Sequence, residues 1–239
     1  LVQLLNDYLI TIWKNKTEFI SSIRLAKAKL GHFEAINSYL KELNSIMKVE
    51  NKSGLKDFLM GHSRNENEKI KIIFHNLYPK LRKVERVITL SRSGTVSEIL
   101  ILWHRRNKNS RVAVCESRPK FEGRLMAKEL ADKGINVELI SDAMMGLIVA
   151  NVDAAIIGAD MVFKNGNVVN KVGSKSLALL CREYKKPFYV VTSHSKLSKK
   201  KIFKPKKENP QEIWDKKVKN LSISNIYFEE IEKKLITKI

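Results

Sequence analysis

The chain of 239 residues has two cysteines, Cys115 and Cys181. Two thiols do not make a disulfide framework, and no Cys/His spacing matches a zinc site, so no metal is expected. Cys115 falls in an apolar strand-like run and Cys181 in a helix-like one. Both read as buried thiols of a reducing, cytoplasmic compartment. No run of about 18 apolar residues occurs, so no membrane-spanning helix is expected. The first residues, around Leu4 and Leu5 with Asp7 after them, lack a basic start and a small-residue cleavage site. No signal peptide is therefore expected. The chain opens on Leu1 and not on methionine, so further residues ahead of it are expected. No internal repeat is present.

Acid is scarce. There are 25 Asp and Glu against 45 Lys and Arg, a net charge of +20. A solvated lysine surface is the ordinary reading of such a balance. Attraction to phosphate, on RNA or on a small ligand, is the functional one. The charge is uneven. Residues 194–207 hold Lys196, Lys199, Lys200, Lys201, Lys204, Lys206 and Lys207 with no acid among them. Such a block points to a polyanion-binding loop, expected over residues 194–220.

The apolar fraction of 44% is ordinary for a folded protein, and 239 residues suit one large domain or a domain with an appendage. Residues 1–83 read as helical. Apolar positions recur at helical spacing through Leu5, Leu9 and Ile12, through Phe19, Ile23 and Leu30, and through Phe33, Ile36, Leu40 and Leu43. A turn is expected over residues 51–54, and a further helix over 68–77 that stops before Pro79. From Val84 the pattern changes. Five short β-branched runs, 86–90, 111–115, 137–140, 154–157 and 188–191, alternate with helical segments at 95–106, 123–133, 143–150 and 174–184. Five buried strands alternating with helices make an α/β fold with a parallel, doubly wound sheet over residues 84–239. A strand over 222–228 and a helix over 229–239 are expected to close the chain.

Ligands of such sheets bind beyond the carboxyl ends of the strands. After the first strand come Ser91, Arg92, Ser93, Gly94 and Thr95. They form either a helix cap or an anion cradle of helix-start N–H groups, hydroxyls and a guanidinium. Arg118 follows the second strand, as a phosphate contact or as one half of a structural ion pair. Asp142 follows the third, as an N-cap or as a contact to a ligand hydroxyl. Asp160 follows the fourth, as a turn residue or as a group for proton transfer. Asn165 and Gly166 mark a hairpin turn. Asn170 and Lys171 then precede another helix start and supply a second phosphate contact.

These segments resemble a known family. The strings ESRP with EG (Glu116, Ser117, Arg118, Pro119, then Glu122, Gly123), DAMMG from Asp142, GAD ending in Asp160, NG at Asn165, NKVGS from Asn170 and PFYV from Pro187 keep its order and spacing. The family joins the regulatory subunits of initiation factor 2B with methylthioribose-1-phosphate isomerase and ribose-1,5-bisphosphate isomerase. The likeness covers residues 84–191, with a further match near 225–228. It implies a helical N-terminal subdomain on a Rossmann-like (NagB/RpiA/CoA-transferase-like) domain, assembled as a homodimer or higher oligomer. It implies no cofactor. The family's isomerases use an aspartate and a cysteine. Asp160 matches the aspartate. The cysteine position, in a Thr-His-Cys pattern, holds Ser91 after Thr89 and Leu90. The family's N-terminal Arg-Gly-Ala or Ser-Gly-Ala substrate loop is not found, and Ser22 with Arg24 is its nearest candidate. The turn at residues 91–95 also resembles the phosphosugar-binding turn of sugar isomerase domains, although the later motifs do not.

Three functions follow as expectations. The first is a regulatory initiation factor 2B-like protein that binds a sugar phosphate or nucleotide and contacts RNA or a translation factor through its basic surface. The second is an aldose–ketose isomerase of a phosphorylated ribose, using Asp160 and Ser91. The third is an RNA- or ribosome-associated basic protein.

Overall fold

The computed structural model describes residues 2–31, 33–49, 52–200 and 202–239. Its first elements are the helices α1 (Val2–Ile12), α2 (Lys16–Leu30), α3 (Glu34–Lys48) and α4 (Lys52–Leu81). Helix α2 starts where Asn15 caps it, its side-chain oxygen accepting from the Glu18 N–H at 3.3 Å. The apolar stripes read from the sequence meet in one cluster, built on Leu9, Phe19, Ile23, Ile36, Leu40, Leu43 and Leu59.

Helix α4 departs from expectation. It begins at Lys52, so the turn over 51–54 is replaced by helix from Lys52 on, and Asn51 lies outside the described residues. It also continues through Pro79 to Leu81. Proline there removes only the N–H that would reach the His75 carbonyl, one bond in the final turn. Against that loss, Phe74, Leu77 and Leu81 on one face of the helix are buried in the main core.

Strands β1 (Arg86–Leu90), β2 (Arg111–Cys115), β3 (Asn136–Ile140), β4 (Ala154–Ile157) and β7 (Phe188–Val190) form a parallel sheet in the order β3-β2-β1-β4-β7. Helices α5 (Gly94–Arg106) and α6 (Glu122–Ala131) join α4 on one face. Helices α7 (Met145–Val149) and α8 (Ser174–Glu183) cover the other. Trp103, Ile99, Leu100 and Met126 fill the first layer, and Ile88, Ala113, Leu177 and Phe188 fill the second. The chain therefore builds the helical N-terminal part and the doubly wound sheet that its pattern implied. The strand order reverses between β1 and β4, which opens a crevice at their carboxyl ends.

Three readings are corrected. Strand β3 is not buried throughout; as the sheet edge it buries only Ile140, while Asn136, Glu138 and Leu139 are exposed. A second, antiparallel sheet exists, made of β5 (Met161–Val162), β6 (Val168–Lys171) and β8 (Phe228–Ile231). The turn at Asn165 and Gly166 joins β5 to β6 as read, with Gly166 at φ +84°. Finally, β8 occupies the start of the segment read as a helix over 229–239. Its pairing with β6 drives Ile231 into the core, which an α-helix from Glu229 could not do while keeping that ladder. Beyond it, Thr237 and Lys238 hydrogen-bond along β7 and cover that edge of the parallel sheet.

The glycine of the EG pair has a packing cause. A Cβ at Gly123 would stand 1.8 Å from the carbonyl oxygen of Cys115, so α6 can approach β2 only without a side chain there. Replacing Gly123 with Ala should lower stability by about 2 kcal/mol or more in urea unfolding. An unchanged midpoint would contradict this packing.

Candidate functional site

Beyond β1 the backbone turns sharply. Ser91 adopts φ +63°, the left-handed region that costs a non-glycine residue energy. Its N–H donates to the Ser117 hydroxyl at 2.7 Å, and that hydroxyl donates to the Cys115 carbonyl at 3.0 Å. The ends of β1 and β2 are thereby tied together. Ser93 then caps α5, its Oγ accepting from the Val96 N–H at 3.4 Å. Space opens at Gly94, where a Cβ would meet nothing within 4 Å. Gly158, after β4, does the reverse: a Cβ there would lie 2.7 Å from the Ser93 oxygen. Small residues let the β4 end reach the cap of α5, and the first-turn N–H groups of α5 keep no partner within the helix.

Asp160 follows at the same end, partly buried, its N–H donating to the Val169 carbonyl at 2.8 Å. Asn170 and Lys171 close β6. Asn170 donates to the Ser174 hydroxyl at 3.0 Å. Lys171 is 3% exposed; its ammonium donates to Glu122 at 2.9 Å and sits 4.8 Å from the Tyr227 ring centre. The second oxygen of Glu122 is buried without a hydrogen-bond partner. Tyr227 hydrogen-bonds Glu212, and its hydroxyl is pushed up to about 12, by burial first and then by that carboxylate.

These groups line one cleft of about 810 Å³. Ser91, Arg92, Ser93, Gly94, Thr95, Asp160, Asn170 and Lys171 all border it. Two expected members do not. Both oxygens of Asp142 accept backbone N–H groups, from Ser117 at 2.8 Å and Arg118 at 2.7 Å. Asp142 thus fastens the loop after β2 and does not cap a helix. The Arg118 side chain lies over the Phe121 ring and donates to the Ile213 carbonyl at 3.2 Å. A third correction concerns the start of α8. The Glu229 carboxylate already accepts from Gly173 and Lys175 N–H groups, at 2.7 and 2.9 Å, so an anion site there is taken by the protein itself. Arg92 borders the cleft while paired with Glu129 at 3.0 Å. Ser22 and Arg24 lie on α2, and Arg24 borders a separate hollow with Lys16 and Thr17.

The opposite wall comes from the N-terminal helices. His62, Glu66, Lys69 and Ile70 of α4 border the cleft, as do Tyr39 and Glu42 of α3. None was singled out from the sequence. The signal was available: positions 62, 66, 69 and 70 share one helical face. His62 is 9% exposed, and its Nε2 has no hydrogen-bond partner. Burial holds its pKa below the usual histidine range, against the opposing pull of Glu66.

The basic loop is anchored at several points. Ser38 donates to the Ser195 carbonyl at 3.0 Å, Ser198 donates to Glu34 at 3.4 Å, and Phe203 packs on Met161, Phe163 and Val169. Lys196 borders the cleft, and Lys199, Lys200, Lys204, Lys206 and Lys207 are exposed. Lys201 lies outside the described residues.

Comparison with known proteins agrees with this architecture. The Initiation factor 2 subunit family matches residues 8–239. A Pyrococcus furiosus protein named eIF-2B subunit 2-like is 44% identical over 120 residues, 48% of this chain and 44% of its own length. A ribose 1,5-bisphosphate isomerase of Archaeoglobus fulgidus is 34% identical over 117 residues, 49% of this chain and 37% of its own. The chain thus covers less than half the length of these relatives. The crystal structure of the Pyrococcus horikoshii translation initiation factor eIF-2B superposes with a TM-score of 0.76 at 25% identity, covering 99% of this chain and 86% of that one. That of the Pyrococcus horikoshii 5-methylthioribose 1-phosphate isomerase gives 0.81 at 18% identity, covering 99% and 76%, a likeness of fold alone.

Neither cysteine borders the cleft among the described residues. Both are buried, and burial pushes each thiol up to about 12, with Asp142 adding to the effect at Cys115. A disulfide reagent at mildly alkaline pH should leave both thiols of the folded chain unmodified and titrate both in denaturant. Rapid labelling of either in the folded chain would show a reactive thiol that this packing does not allow.

Proposed function

The chain belongs to the Initiation factor 2 subunit family, and we propose that it binds a phosphorylated small molecule, a sugar phosphate or a nucleotide, in this cleft and acts as a regulatory subunit. The observation that carries the reading is a division of groups. The α5 start, Asn170 and Lys171 border the cleft, whereas both thiols are buried elsewhere. The groups proposed to hold a phosphate therefore border one cleft, and at the position where the resemblance expects the isomerase cysteine the chain has Ser91. A hydroxyl is far less acidic than a thiol and a poor partner in proton transfer. The N–H groups of α5 and the ammonium of Lys171 supply positive charge to an anion without any further chemistry. An oligomer, and contacts to RNA or a translation factor through the exposed lysines of residues 194–220, belong to the same reading.

The test uses a paired substitution, because removing Lys171 alone would strand the Glu122 carboxylate. Lys171→Met with Glu122→Gln removes both charges. Calorimetry with ribose phosphates and nucleotides should show affinity falling about 10- to 100-fold, the worth of a hydrogen bond to a charged group of about 1.5–3 kcal/mol. Equal affinity in wild type and double variant would reject the phosphate site.

One observation favours a second reading. Asp160 borders the cleft, and a relative is named ribose 1,5-bisphosphate isomerase. An aldose–ketose isomerase of a phosphorylated ribose would use Asp160 as acid and base, with Ser91 or water in the second role. On that reading Asp160→Asn lowers turnover by about 10²–10⁴-fold with the fold intact. The regulatory reading expects no turnover in the wild type, so ordinary enzymatic rates on ribose 1,5-bisphosphate would overturn it.

A further inference from the structure

We infer that a second hollow, beneath the basic loop, takes an unpaired base of single-stranded RNA while the lysines of that loop hold the flanking phosphates. The inference deepens the RNA contact of the reading above. It rests on that part of the reading and not on the phosphate cleft.

The loop is tied down on both sides of the hollow. On one side the Ser198 N–H donates to the Val162 carbonyl at 2.8 Å, and its hydroxyl donates to Glu34 at 3.4 Å. On the other the Glu208 N–H donates to the Asn225 carbonyl at 2.9 Å. Between these ties Phe203 seats the loop over β5 and β6, packing on Met161, Phe163 and Val169. What stays open is a hollow of about 340 Å³. Three aromatic rings border it: Phe203, Phe33 at the start of α3 and Phe228 at the start of β8. Phe33 and Phe228 meet edge-on with centroids 6.0 Å apart, so each holds the other in place.

The rim combines apolar surface with positive charge. Ile202 borders the hollow and is 70% exposed. An exposed aliphatic side chain beside an open aromatic hollow marks surface for a partner to cover. Lys200, Lys204 and Lys206 border the same hollow, with Asp160 and Glu208 as its carboxylates. Glu208 pairs with Lys206 at 3.2 Å, and Lys200 and Lys204 stand exposed to solvent. Lys199 and Lys207, also exposed, extend the positive charge along the loop.

The fitting partner therefore offers flat apolar faces between repeated negative charges. Single-stranded RNA has both, since its bases stack on aromatic side chains while basic groups follow its backbone. A duplex keeps its bases inside and offers the loop phosphate alone. An acidic peptide matches the charge without the regular alternation of flat rings. Aromatic rings and lysines together on one hollow favour the single strand over both.

The experiment is fluorescence anisotropy on the full chain with a short labelled uridine-rich RNA strand. The comparison ligands are an abasic strand of the same length and charge, the duplex of the same sequence, and a glutamate-rich peptide of equal charge. Wild type should bind the intact strand about tenfold or more tightly than the abasic one, the worth of one stacked base. Phe203→Ala should erase most of that preference and leave duplex affinity unchanged. Lys200→Ala combined with Lys204→Ala should weaken the intact and abasic strands alike and make binding less sensitive to salt. Intact and abasic strands binding equally well would overturn the inference and leave an RNA contact by charge alone. A preference that survives Phe203→Ala would overturn it too, as would a peptide that binds as tightly as the intact strand. If no RNA binds the wild type, the RNA contact fails and the inference with it, while the phosphate cleft is untouched. Should Phe203→Ala misfold, the comparison of intact and abasic strands on wild type decides alone.

Discussion

The approach of Gly158 to Ser93 is the contact on which the cleft depends. A side chain at Gly158 would lie 2.7 Å from the Ser93 oxygen, and so would separate the end of β4 from the cap of α5. Because it is absent, the two strands at the reversal of the sheet order deliver their loops to one place. The cap also orients α5, whose first-turn N–H groups face the opening with their partial positive charge. Asp160 and the second sheet follow from the same junction, since the Asp160 N–H bonds to Val169 of β6. That bond brings Lys171, at the end of β6, to the border of the cleft.

Much of this was legible from residues alone. The strands β1, β2 and β4 are short, mostly apolar runs, and burial of nearly every position on both faces leaves no other use for them. The residues after β1 and β4 could be placed at the cleft because strand direction is enough, whereas Asn170 and Lys171 were placed by the helix start that follows them. Arg118 and Asp142 could not be placed that way. Their loop after β2 is bent by backbone N–H bonds to Asp142 that no sequence pattern announces. The second sheet escaped because β5 has only two residues and β8 is identified by its pairing with β6, more than fifty residues away. Helix α4 was cut short because Pro79 was weighed by local preference, whereas burial of Phe74, Leu77 and Leu81 decides the outcome. His62 was missed for the same kind of reason: its surroundings are Tyr39 of α3, across the helical layer, and Phe58 one turn earlier on α4.

Charged groups line the cleft, and the thiols do not. Arg92, Lys171 and Lys196 border the cleft together with Glu98, Glu122, Glu129 and Asp160, and Lys171 is held in place by Glu122 and the Tyr227 ring. The thiols are buried elsewhere, with burial holding them protonated. Asp160, after β4, borders the cleft with Ser91 and the start of α5. Membership of the Initiation factor 2 subunit family is compatible with either outcome, since its relatives are named both as translation factor subunits and as sugar phosphate isomerases. On the proposed reading, a hydroxyl at Ser91, where the resemblance expects a thiol, favours binding without turnover.

The most direct test is a crystal structure of the chain grown with a nucleoside monophosphate. The phosphate oxygens should accept hydrogen bonds from the α5 N–H groups and the Lys171 ammonium, with the ligand otherwise intact. A ligand found instead on the exposed lysines of residues 194–220, with the cleft unchanged, would contradict the account.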